Sequence, residues 1–461
     1  MSNDIITLIV QGKDDEAFNL AKDVKVDPLT RVPPEKLSSS LKEFFLPGEK
    51  PALIEIAATQ TPRTSLLLLS QTHVDPLFRV SSSKKYESIS LLAMGIIQDL
   101  TEFSSALIRE ASASDLPSPI DLSLYQQSWF EFAMDHSAYG VIEAFSMRQL
   151  DPLEHLPDGE TIFERILSDV KDLSIQEKIV RRMVVENGLS VLTNLSSGQT
   201  VYECLLSKQN FSKNPLITLA EEHKLTGTER LDDGSTLFEV ALKVNQPVAL
   251  AFASTGSIDP HGYASTGQSY FEVALEAGAF DTAAKLASDN AFNPLERTFD
   301  GKTLMELCLE RKAINVALTC FSGDRIPQSA LLSDGKTPFE RMLMMGSKEL
   351  IFGAIAGQSL TPITKLPPDE TTPYELAVKH GAVDIVAVFT RFCGLNGLYV
   401  LASGKTCFEY AVDMKREDVA LGFIETGTVG PKSVLPSGKT CLDYAVNAGA
   451  KGICQALIQK I

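Results

Sequence analysis

From residue 158 onward, nine acidic residues recur at near-constant spacing: Glu164, Glu203, Glu239, Glu272, Glu306, Glu340, Glu375, Glu409 and Asp443. Carboxylates that meet across a cleft can share general acid–base work. Six His and seven Cys could in principle hold a metal or supply a nucleophile. The spacing speaks against both. His73, His136, His155, His223, His261 and His380 are scattered, and no two Cys form a Cys-x-x-Cys pair. All the Cys lie at or beyond Cys204 and read as buried free thiols in a reducing compartment. No phosphate-binding, zinc-protease or nucleophile-elbow motif is present. No catalytic residue, metal ligand or cofactor is therefore assigned.

The acids have a simpler explanation in the elements that carry them. Each lies three residues after a Thr or Ser: Thr161, Thr200, Thr236, Ser269, Thr303, Thr337, Thr372, Thr406 and Thr440. A hydroxyl at a helix start with an acid three residues on is a capping box, which satisfies main-chain donors at both positions. Pro338 and Pro373 follow their Thr and suit the first helical position. Two residues before each Thr or Ser stands Gly159, Gly198, Gly234, Gly267, Gly301, Gly335, Glu370 in the Gly slot, Gly404 or Gly438. The intervals are 39, 36, 33, 34, 34, 35, 34 and 34. A period near 34 predicts stacked supersecondary repeats. DGKTLMELCL at 300–309 is one copy of the motif, and DGKTPFERML at 334–343 is another. Small side chains two residues after the acid (Ala241, Ala274, Cys308, Ala377, Ala411, Ala445) let helices of neighbouring repeats come close. A turn and a second apolar helix, as at 281–288 and 384–392, complete the repeat.

This pattern resembles the ankyrin repeat, in which Gly-x-Thr-Pro-Leu-His-x-Ala-Ala opens a helical hairpin. The Thr-Pro-aromatic core survives at 334–343 and 369–378, and 381–386 matches the family's Gly-x-x-x-Ile-Val step. The family His is replaced by Glu or Asp. The family Asp three before the Gly is mostly apolar here: Leu156, Leu195, Leu231, Leu332, Leu401 and Leu435. An apolar ladder through the inter-repeat hairpins is expected. The resemblance implies an all-α, curved and elongated solenoid of about 13 stacked helical hairpins.

Earlier in the chain the pattern drifts. Helices are predicted at 4–11, to about 23, at 51–59, at 64–70 and at 126–135, with a degenerate repeat over 84–110. Asp-Pro or Asn-Pro recurs after second helices at Asp27, Asp75, Asp151, Asp259 and Asn293. An insertion is expected at 31–48 and a loop at 112–123, with added residues near 168–177 and 208–213. The organisation is read as degenerate repeats with insertions over 1–157 and regular repeats with a C-terminal cap over 158–461.

Apolar residues make up 44% of the 461, ample for a core. No apolar run of about 20 residues suggests a membrane span. The start lacks a basic stretch and a cleavage-like site, so no secretory signal is expected. The formal charge of −17 repels nucleic acid and anionic membranes, even though a row of helix N-termini attracts anions locally. Lys302, Lys336, Lys405 and Lys439 follow the turn Gly and read as solvated lysines stacked along one edge.

The expected function is a non-enzymatic scaffold that binds a partner protein on a concave face. The alternative is an enzyme with an unrecognised active site in the irregular first 150 residues. In the resembled family, binding residues lie just after the Gly and at the end of the first helix. Carried onto this chain, the candidate partner-binding residues are Arg311, Met344, Met345, Lys379, His380 and Met414. Met344 and Met345 occupy slots that hold Lys243, Glu276, Glu310, Arg311, Lys379 or Asp413 in other repeats. Two adjacent Met in solvent-facing slots point to an apolar contact. A cytoplasmic monomer is expected. The drifting motifs are similar in style to ankyrin-repeat effectors of intracellular bacteria, which would make the partner a host protein.

Overall fold

The computed structural model describes residues 2–38, 51–72, 74–79, 90–111, 119, 127–148, 150–208, 211–289, 291–298, 300–321, 325–357 and 360–460. The expected insertion at 31–48 lies outside the described residues from 39 onward, and the expected loop at 112–123 lies outside them apart from Pro119. Among the described residues there are 26 α-helices and no strand, and the helices pair into thirteen hairpins. The fold is an all-α stack of ankyrin-like helical hairpins.

The local reason is the cap. All nine predicted hydroxyls cap their helices: each accepts from the main-chain NH of the acid three residues on. In return each acid accepts the NH of its capping residue, as Glu340 does from Thr337 at 2.9 Å. Upstream, Ser128 and Glu131 form the same box at the start of Trp129–Asp135. The degenerate repeat keeps a cap at Ser90, which accepts from Ala93 NH at 3.2 Å, but has no acid to complete the box. First helices are seven to nine residues long. They often close on a left-handed residue: Gly346 takes φ 66°, and Lys312 and Lys415 take 55° and 56°.

The hairpins between repeats replace a strand ladder with isolated bridges. Seven of them pair the residue four before the turn Gly with the cap, as in Arg297–Thr303 and Val434–Thr440. The expected apolar ladder is present. Leu156, Leu195, Leu332, Leu401 and Leu435 are buried, and Leu231 is half-buried. The main chain of each folds the turn, as where Leu332 NH donates to Lys336 O at 2.8 Å and Gly335 NH to Leu332 O at 3.1 Å. The recurring Asp-Pro also has a local cause. Asp27, Asp75, Asp151 and Asp259 each accept the NH two residues on, at 2.8–3.0 Å, which stops the chain after a second helix.

The chain forms two compact parts, Met1–Leu219 and Ala220–Ile461. In the first, helix Thr101–Glu110 packs between Pro62–Gln71 and Tyr139–Ser146. In the second, first helices stack in one layer from Leu237–Val244 to Cys407–Asp413 and second helices in another from Gln246–Ser254 to Lys451–Ile458. One slot fills the core of each part. In the first part it holds Phe130, Phe163 and Tyr202, and in the second Phe238, Phe271, Met305, Phe339, Tyr374 and Phe408, all buried. Aromatic rings bury a large apolar area each, so this slot carries much of the packing energy. The small slot is as tight as expected: Ala241, Ala274, Cys308, Ala377, Ala411 and Ala445 are all 0% exposed.

Candidate functional site

Caps and core together decide which side chains remain outside. With Thr337 as cap and Phe339, Met342 and Leu343 buried, the last two residues of Pro338–Met345 must face solvent. Met344 is 56% exposed and Met345 37%. The corresponding residues of the neighbouring repeats, Arg311, Lys379, His380 and Met414, are exposed as well. The six candidate residues therefore share one register, at the ends of consecutive first helices.

The row is charged on both sides of the Met pair. Arg311 lies 3.8 Å from Glu276, and Arg341 lies 3.9 Å from Glu310. Lys302 reaches Glu310 at 2.7 Å, and Lys405 reaches Asp413 at 2.5 Å. These lysines are thus tied to the acid at the end of their own first helix rather than merely solvated. Lys336 instead meets Asp334 at 3.4 Å, because its repeat has Met344 where the Lys302 and Lys405 repeats have Glu310 and Asp413.

Sequence reasoning missed a second exposed row, at the turn tips four residues before the Gly. Arg230 and Arg297 there donate back to Gly234 O and Gly301 O at 2.6 and 2.7 Å. The same slot also holds Tyr263, Leu331, Val400 and Val434, exposed by 67, 43, 48 and 66%, and the buried Leu366. Apolar residues at a turn tip were the signal to follow.

The acids also do more than cap. Glu306 accepts Thr303 NH on one oxygen and Ser333 NH, from the next repeat, on the other. Glu164 holds Ser197 NH and Glu239 holds Ser265 NH in the same way. Burial pushes the Glu164 carboxyl up, but hydrogen bonds from Ser196, Thr161 and Ser197 outweigh it and hold the group at about 2. The same balance lowers Glu239 and Glu306.

The thiols of Cys204, Cys308, Cys393, Cys407 and Cys441 are held in their protonated, less reactive form. Burial pushes Cys441 up to about 12, and burial with the Glu164 charge pushes Cys204 up to about 11. Cys308 is raised by its hydrogen bond with Cys320 and by burial. Three His side chains, in separate repeats, have partners: Phe132 O for His136, Gly159 O for His155 and Glu296 for His261. His73 lies outside the described residues.

No family model matches this chain, and no curated protein matches it. Among solved structures it is similar to the ankyrin repeat domain of Bcl-3, a unique member of the IkappaB protein family, at 14% identity and a TM-score of 0.35. That match covers 49% of this chain and 99% of the other. The human ASB11 ankyrin repeat domain is similar at 16% identity and a TM-score of 0.30, covering 54% and 98%.

Proposed function

We propose that this chain is a non-enzymatic protein-interaction scaffold whose partner docks on the ends of the first helices, centred on Met344 and Met345. One observation carries the reading: two adjacent exposed Met stand in a register that is otherwise largely charged. Thioethers are adaptable and shed water at little cost, so they suit an apolar partner segment. Arg311 on one side and Lys379 and His380 on the other supply a polar rim, and Met414 extends the apolar contact. Stacks of helical hairpins present such a row on a concave face.

In the same reading the chain acts in the cytosol as a monomer and its partner is a protein. Its charge of −17 disfavours nucleic acid, and no described helix is long and apolar enough to cross a membrane. The drift of its motifs favours an effector delivered into a host cell, with a host protein as partner. Affinity capture with the full chain tests this, run on eukaryotic and bacterial lysates beside a Met344→Glu/Met345→Glu variant. The reading requires a protein that is enriched from the eukaryotic lysate by the wild type and lost with the variant. Identical capture by both would refute it.

A further inference from the structure

We propose that a groove between the second helices Lys348–Ala356 and Val383–Arg391 is a separate docking site, for a short apolar segment of a partner protein. The groove has a volume of about 990 Å³, and its walls include Phe352, Ile355, Val388, Phe392, Leu395 and Tyr399. None of the residues lining it is charged. It lies at the C-terminal ends of second helices. The two helices of a hairpin run antiparallel, so it is at the other end of the hairpin from Met344 and Met345. The inference is therefore independent of the function proposed above.

Phe392 shows that the groove is more than a packing fault. It is 79% exposed, more than any other large apolar side chain among the described residues. It caps Val383–Arg391, and its NH donates to Val388 O at 2.8 Å, so the ring projects from a fixed backbone. The equivalent slot in the other repeats of this part holds Thr255, Asp289, Gly323, Gly357, Thr426 and Lys460, all small or polar. Phe352, 37% exposed, is the aromatic member of a slot that holds Leu250, Ala284, Leu318, Ala387, Leu421 and Gln455 in the other repeats of this part.

Size and chemistry select the occupant. A stable dimer interface uses roughly 20–30 residues a side, and the groove is lined by 14, so a second copy of the chain would find too little surface. A small molecule is held where most of its surface is enclosed. This groove is open along one side, and Phe392 stands so far out that only a larger body beyond the groove would cover it. A single helix or extended strand of a partner does both, inserting two or three aliphatic or aromatic side chains. Its inserted face is uncharged, because the walls offer no counter-charge.

The test uses a random peptide display library panned on the full chain. Enriched peptides are synthesised and titrated by fluorescence anisotropy. The expected winners share two or three apolar residues. They bind at least tenfold more weakly to Phe392→Ser and to Phe352→Ser, and bind Met344→Glu/Met345→Glu with wild-type affinity. Unchanged far-UV spectra establish that the variants are folded. Four results would overturn the proposal: no enrichment, winners indifferent to both Phe variants, self-association in sedimentation that Phe392→Ser abolishes, or 8-anilinonaphthalene-1-sulfonate held in the groove and not displaced by the winners.

Discussion

Glu306 joins two consecutive repeats through Ser333. One carboxylate oxygen accepts the Ser333 NH at 3.0 Å and also its hydroxyl, while the other accepts the NH of its own cap, Thr303, at 2.6 Å. Glu239 with Ser265 repeats the arrangement, and Glu164 varies it, taking the Ser197 NH on one oxygen and the Ser196 hydroxyl on the other. The bridging Ser hydroxyl always comes from the second residue before the turn Gly. An acid in place of the family's His thus both caps a helix and clasps the next hairpin.

Removing the clasp hydroxyl will destabilise the stack. Ser333→Ala is expected to cost about 1.5–3 kcal/mol, the range for a hydrogen bond to a charged group. Urea unfolding of the full chain measures it. Ser433→Ala, where the serine's hydroxyl hydrogen-bonds only the nearby Gly430 NH, serves as a milder comparison.

Installing the clasp elsewhere should do the reverse. Ala402 is exposed and stands 27 residues after Glu375, the separation between Glu306 and Ser333. Ala402→Ser is expected to raise stability by about 0.5–1 kcal/mol, read as a higher midpoint in urea. A lower midpoint would mean that the two repeats meet differently at this step.

The clasps make stability depend on pH in a defined direction. The Glu164 carboxyl sits at about 2 in the folded chain, against about 4.3 when unfolded. Its contribution is fully present above the unfolded value and is lost as pH falls through the folded one. Glu239 and Glu306, also lowered, act in the same sense. Unfolding free energy should therefore drop between about pH 5 and pH 2. Glu164→Gln should be less stable at neutral pH and show a shallower drop.

Caps, period and small-residue slots were legible in the chain because each is local and recurs in most repeats. Thr337 with Glu340 and the fully buried Ala411 needed no knowledge of neighbours. The Leu ladder was legible too, although only the structure showed that it folds inward. The clasp was not, because Ser196, Ser265 and Ser333 carry it in three repeats only, and their partners lie 26 to 32 residues upstream. Phe392 was hidden for a different reason. Its exposure depends on how two second helices and their following loops come together, which no spacing within one repeat records. Over residues 90–110 the missing acid after Ser90 blurred the repeat, and the burial of Leu91 and Leu92 made it clear again.

The most direct measurement is the Met344→Glu/Met345→Glu double variant, with thermal melting and partner binding read on the same preparation. The account predicts a change in stability below about 0.5 kcal/mol, as for surface positions, and binding weaker by roughly 1–3 kcal/mol. A variant that melts several degrees lower yet binds normally once folded would place both Met in the core and contradict the proposed interaction face.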